Sequence, residues 1–109
     1  MFRMKQHDTA PPLRATLTNT DDAGTITPVD LTAASAVKVI GSRNGTALFT
    51  RTVTGTNQGV VVMPWSVGDT AAPGLINVEI EVTWPGSPAT VQTFPANGTL
   101  TVLVDKDLG

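Results

Sequence analysis

Few side chains in this sequence could do chemistry, and their spacing says which reactions are open. A hydrolytic nucleophile needs a base beside it, and the only histidine, His7, stands with Asp8 and Thr9 in a segment shaped by Pro11 and Pro12. Such a segment does not hold a base in catalytic geometry, so His7 is expected to serve a turn or an interface. With no cysteine in the chain, a thiolate nucleophile, a disulfide framework and a Cys-based metal site are all excluded. Asp21 and Asp22 with Asp30, or Asp105 with Asp107, could bring oxygen ligands towards calcium. Neither group has the Asp-x-Asp-x-Asp-Gly loop that makes a calcium site specific, so solvated turns and a polar tail are expected, and no metal or cofactor. Glu79 and Glu81 aim their carboxylates to the same side of a strand at roughly 7 Å, a separation inverting glycosidases use. An acidic outer strand face that discourages self-association accounts for them more simply. Trp65 and Trp84 would suit a sugar-stacking platform, but Trp84 is in phase with an apolar face and Trp65 closes an apolar run, so packing in the core or at its rim is expected. Asn44-Gly45-Thr46 and Asn97-Gly98-Thr99 match the glycosylation sequon and are read here as Asn-Gly turns. No Gly-rich phosphate loop and no basic-aromatic stripe is present, and an enzyme is not expected.

The elements that must carry these residues are strands. From Leu75 to Trp84 the sequence alternates, with Ile76, Val78, Ile80, Val82 and Trp84 on one face and Leu75, Asn77, Glu79, Glu81 and Thr83 on the other. A strand of that length needs a multi-stranded sheet to keep its apolar face dry. Leu13 to Thr18 alternates as well and gives way to a turn cluster from Asn19 to Gly24. Ile26 to Leu31 is a short segment interrupted by Pro28, and Ser35 to Ile40 reads as a strand bounded by Gly41. Asn44-Gly45 marks a hairpin to a strand from Thr46 to Val53. The continuous apolar run in Gly59-Val60-Val61-Val62-Met63-Pro64-Trp65 suggests a strand covered on both faces for part of its length. Ala89 to Phe94 returns across a tight turn, and the last strand is expected from Thr99 to Val104.

About seven or eight short strands at intervals of roughly 8–12 residues describe an all-β fold, a sandwich or barrel. At 109 residues the chain makes one domain. Residues 1–12 read as an extended N-terminal arm or edge strand, with Phe2, Arg3, Met4, Lys5, His7, Pro11 and Pro12 free to meet a neighbouring subunit, and residues 13–109 as the sandwich. A net charge of −2, spread without blocks, offers no field for nucleic acid or anionic lipid. The start lacks an apolar stretch of signal-peptide length, and nowhere do eighteen apolar residues run together, so a soluble chain made in the cytoplasm is expected.

Taken in order, the turn motifs resemble a known family. Lys5-x-His7-Asp8-Thr9-x-Pro11, Leu13-x-Ala15-x-Leu17, Val29-Asp30-Leu31-Thr32 before Val37-x-Val39, Trp65-x-x-Gly68-Asp69-Thr70, Gly74-Leu75-x-Asn77-x-Glu79-x-Glu81-Val82, Thr93-Phe94-Pro95 and Leu100-x-Val102-x-Val104 together are similar to the N-terminal domain of phage baseplate upper proteins and related tail-fibre attachment domains. That family usually carries Lys-x-Gly-Asp-Thr at its opening, where this chain has His7, and an aromatic residue after the Gly74 turn, where it has Leu75-Ile76. The resemblance implies an immunoglobulin-like antiparallel β-sandwich and a structural role in the virion, at a tail tip or baseplate, through assembly with itself and other tail proteins. A capsid-surface decoration protein is the sibling expectation, and a carbohydrate-binding module for host-wall glycans is the alternative. It further implies that Asp69 and Thr70 shape a turn through side-chain to backbone bonds, that Gly74 permits strand entry, and that Asp30 and Phe94-Pro95 fix neighbouring turns.

Overall fold

A computed structural model describes residues 2–95 and 100–107. The Asn97-Gly98 turn, the start of the last strand at Thr99 and the end of the tail at Leu108-Gly109 lie outside the described residues. The fold is all-β and sandwich-like. Its strands are β1 (Phe2–Lys5), β2 (Leu13–Thr16), β3 (Thr18–Thr20), β4 (Ile26–Pro28), β5 (Ala36–Arg43), β6 (Thr46–Val53), β7 (Val60–Met63), β8 (Gly74–Trp84), β9 (Thr90–Phe94) and β10 (Leu100–Asp105), with single 3₁₀ turns at Leu31–Ala33 and Val67–Thr70.

β8 is the spine of a six-stranded sheet. Its alternation buries Ile76, Val78, Ile80 and Val82 completely, while Leu75 and Glu79 stay exposed. Along one edge it pairs with β5; along the other it pairs with β10 through its first half and with β9 through its second. β6 extends the sheet beyond β5 by the expected hairpin, where Asn44 and Gly45 take φ of 52° and 79°, a backbone that Asn and Gly tolerate best. The strand before it does not stop at Gly41: it runs on to Arg43, and the ring of Phe49 lies where a Cβ at Gly41 would be, 2.3 Å away. Glycine there makes room for the aromatic ring, and the register shifts beside it, leaving Leu48 as the extra residue of a bulge.

β2 and β7 pair as a second sheet, and β3 and β4 as a small ribbon. Buried side chains from both sheets, including Leu13, Val39, Met63 and Val102, form one hydrophobic cluster. Here the sequence expectations need three corrections. Asn19 and Thr20 belong to β3 and not to a turn, because the turn begins at Asp21, whose carboxylate accepts from the N–H groups of Ala23 and Thr25, each at 2.9 Å. The valine run of β7 is covered on one face only: Val61 and Met63 are buried, whereas Val62 is 40% exposed. The antiparallel rule also has an exception, since β1 runs parallel to β10, from Phe2 opposite Val102 to Lys5 opposite Asp105.

That pairing also decides between the two readings of the N-terminal segment. Residues 2–5 are not an arm held out to a neighbour but an edge strand of their own domain. Met4 is buried in the core, Phe2 packs against Trp65 at 6.3 Å between ring centroids, and Arg3 reaches Asp105 at 3.4 Å. Their apolar surface is already covered at home. Of the residues expected at an interface, Arg3, Lys5, His7, Pro11 and Pro12 remain exposed.

Candidate functional site

The motif residues converge where the segment after β1 meets the 3₁₀ turn before β8. Asp69 builds that turn from within. Its Oδ2 accepts from the Ser66 N–H at 2.8 Å, and its own N–H donates to the Ser66 carbonyl at 2.9 Å. Its carboxylate also takes a two-pronged ion pair from Arg51 of β6, with Nη1 to Oδ2 at 2.6 Å and Nη2 to Oδ1 at 3.2 Å. The Arg51 guanidinium lies 5.1 Å from the Phe49 ring centroid, and its pKa is raised above the ordinary value chiefly by the hydrogen bond to Asp69. The pair therefore ties the large sheet to the loop that leaves β7.

Thr70 is completely buried and faces the other way. Its hydroxyl donates to the Asp8 carbonyl at 2.8 Å, and its carbonyl accepts from the His7 N–H at 2.9 Å. Gln6 adds a third bond, its Nε2 donating to the Ala71 carbonyl at 2.7 Å. His7 takes φ of 70°, a left-handed backbone that favours glycine. The Asp8 N–H closes the bend onto the Lys5 carbonyl at 3.1 Å, and Thr9 is exposed beyond it. Gly74 enters β8 with φ of 128°, which a side chain would strain, beside the Arg43 guanidinium. Gly68 has neither a positive φ nor a close neighbour, so nothing in this turn demands glycine there.

The remaining motif residues stand apart. Asp30 caps the Leu31–Ala33 turn by accepting from the Thr32 hydroxyl at 2.6 Å and the Thr32 N–H at 3.0 Å. Those two bonds, the hydroxyl first, hold its carboxyl below the ordinary value of 3.8. Phe94 is buried opposite Ile80, and Pro95 follows it half-buried.

Each chemical alternative can be placed as well. Glu79 and Glu81 lie on the open face of β8, with Ile40 and Lys38 of β5 opposite them, and not in a cleft. Trp65 is 5% exposed, in edge-on contact with Phe49, and its indole N–H is buried without a hydrogen-bond partner. Trp84 is half-buried, and its indole N–H donates to Gln92 at 3.3 Å. Neither ring offers the open face that sugar stacking needs. Among the described residues no group of three or more His, Asp or Glu side chains could hold a metal ion. A groove of about 860 Å³ opens between β2–β3 and β9–β10, floored by Leu13, Leu17, Ile80, Phe94 and Val102. Among the described residues on its walls Arg14 is the one titratable side chain, and no acid–base pair is found there. Among the described residues no helix is long and apolar enough to cross a membrane.

Arg51, Arg43 and Gln6 were not singled out by sequence. A signal for Arg51 existed: in the alternation Phe49, Arg51, Val53 it falls in phase with core residues, and a charge on that face requires a carboxylate. Arg43, which donates to the Ala72 carbonyl at 3.0 Å and the Leu75 carbonyl at 3.3 Å, and Gln6 bond to backbone, which leaves no pattern in side-chain types. Comparison with known protein families, with curated proteins and with solved structures finds nothing that matches this chain.

Proposed function

We propose that this chain is a non-enzymatic structural protein of a phage particle, an adaptor or minor tail subunit at the tail tip or baseplate, acting by assembly with itself and with other tail proteins. The observation that carries this reading is the clasp between His7-Asp8 and Thr70. The resemblance rests on motifs far apart in sequence, and two of them, Lys5-x-His7-Asp8-Thr9 and Trp65-x-x-Gly68-Asp69-Thr70, meet through backbone and side-chain hydrogen bonds. Their polar groups are spent on holding two loops together, which suits a scaffold. The φ of 70° at His7 falls where the resembled family carries glycine, which supports aligning the two at this bend. The groove without an acid–base pair and the glutamates on an open sheet face favour assembly over catalysis.

The test is the composition of particles released from the host that carries this gene. Mass spectrometry of purified virions should find the chain at a fixed stoichiometry, and gold-labelled antibody should mark the tail end. Labelling over the head would favour the capsid-decoration sibling, and absence from the particles would overturn the virion reading.

A further inference from the structure

The β3–β4 ribbon buries nothing at home. All six of its strand residues are exposed, and Ile26, at 67%, is the most exposed large apolar side chain among the described residues. A two-stranded ribbon is marginally stable without a surface to pack on. This one is tied to the sandwich by the Gln92 amide, which donates to Asn19 at 3.0 Å, and by the Val29 N–H, which donates to the Leu17 carbonyl at 3.0 Å. Its turn carries two carboxylates. Asp21 is occupied by the N–H groups of Ala23 and Thr25, whereas the exposed Asp22 side chain has no partner among the described residues. β3 is also a wall of the apolar groove, which cuts as far as Ile80 on the spine of the large sheet. Arg14, the one titratable group among the described residues on those walls, is exposed and likewise without a partner among them.

We propose that two copies of this chain exchange ribbons across a two-fold axis, each setting Ile26 into the apolar groove of the other and Asp22 against the other's Arg14. This deepens the assembly reading and rests on it. The chain itself carries both halves of the fit: an apolar floor beside an unpaired cation, and an exposed isoleucine beside an unpaired carboxylate. Symmetry follows from their placement. A two-fold contact uses the same patch on both subunits, and β3 both carries the ribbon and lines the groove, so knob and hole share one patch. Other elements of a second copy fit less well. β1 would bring Arg3 and Lys5 up to Arg14, and Glu79 and Glu81 lie on a flat sheet face that does not enter a groove. The contact is one ribbon in one groove, taken twice, at the low end of interface sizes, so the dimer is reversible and depends on concentration.

Sedimentation velocity of the full chain from about 5 μM to about 500 μM should show the mass rising to that of a dimer. Arg14→Glu and Asp22→Arg, each at an exposed position, set like charges together and should each weaken association by about tenfold or more. Combined in one chain they restore opposite charges and should bring association back. Ile26→Ser should weaken it as well, whereas Leu75→Ser, exposed on the outer face of β8, should leave it unchanged. Matching denaturation curves establish that the variants are folded. If one fails to fold, chains carrying Arg14→Cys and Asp22→Cys are mixed instead, since the sequence has no other thiol: oxidation should join these two much faster than Leu75→Cys with Asp22→Cys. A monomer at every concentration, a dimer indifferent to either charge reversal, or a loss that the combined chain does not repair overturns the proposal; with the cysteine mixtures, equal coupling does so. A chain found in virions yet monomeric in solution defeats the ribbon exchange alone, whereas a ribbon-exchanged dimer absent from virions defeats the phage reading alone.

Discussion

Thr70 shows what a single hydroxyl does in this fold. It is fully buried, yet it joins residues 62 positions apart by one hydrogen bond to a backbone carbonyl. Thr70→Val keeps the shape and removes the donor, and should lower stability by about 1 kcal/mol, read from urea denaturation. Asp30 makes a pH-dependent contribution. Its folded pKa lies below the ordinary 3.8 because Thr32 bonds the charged form. That stability is present above the unfolded value and is lost as pH falls through the folded one. Asp30→Asn should therefore flatten the acid limb of a stability profile measured below about pH 4 and leave its slope near neutrality unchanged. At this scale the sequence was readable where a side chain bonds its own neighbourhood: Asp21 and Asp30 were expected in turns, and each caps one. It was silent where the partner lies far along the chain, as with Asp69 and Arg51 on different loops and strands. Short polar residues declare local bonds by spacing, whereas long-range ones need the fold first.

Strands were legible in proportion to how strictly they alternate. β8 was readable almost to the residue because its inward side carries only Ile and Val up to Trp84 while its outward side, Leu75 apart, carries Asn77, Glu79, Glu81 and Thr83. β3 was missed because three polar residues, Thr-Asn-Thr, carry no hydrophobic period, and their strand geometry comes from pairing with β4. β1 was readable as an edge strand but not as an edge of this sheet, since a parallel partner in β10 leaves no turn between them to announce it. Its packing makes a prediction about truncation. Removing residues 1–5 uncovers one side of β10, deletes the buried Met4 and strips Phe2 from Trp65. Stability should fall by at least about 3 kcal/mol, and tryptophan emission should shift to the red as water reaches Trp65. A truncated chain as stable as the full one, with unshifted emission, would show that β1 is dispensable.

For the molecule as a whole, apolar burial carries the structure and electrostatics contributes little. The core is built mainly from Ile, Val, Leu and Met on both sheets, whereas the ion pair of Arg3 with Asp105 lies in the open and that of Arg51 with Asp69 is partly buried. Raising salt from about 0.02 M to about 0.5 M should therefore change unfolding free energy by less than about 1 kcal/mol, as urea titrations at both ionic strengths would show. Fold class was written in the alternation of strands and in the rhythm of turns, but the order of strands was not, because pairing across long separations leaves no local mark. The longest of those separations also governs how the molecule folds. Phe2 lies opposite Val102, so β1 joins the sheet only by closing a loop of about a hundred residues, at an entropic cost that grows with the logarithm of loop length. Until β10 lies on β8 there is no edge for β1 to meet. Its docking belongs to the end of folding, after the rest of the sheet has drawn the two segments close and shortened that loop.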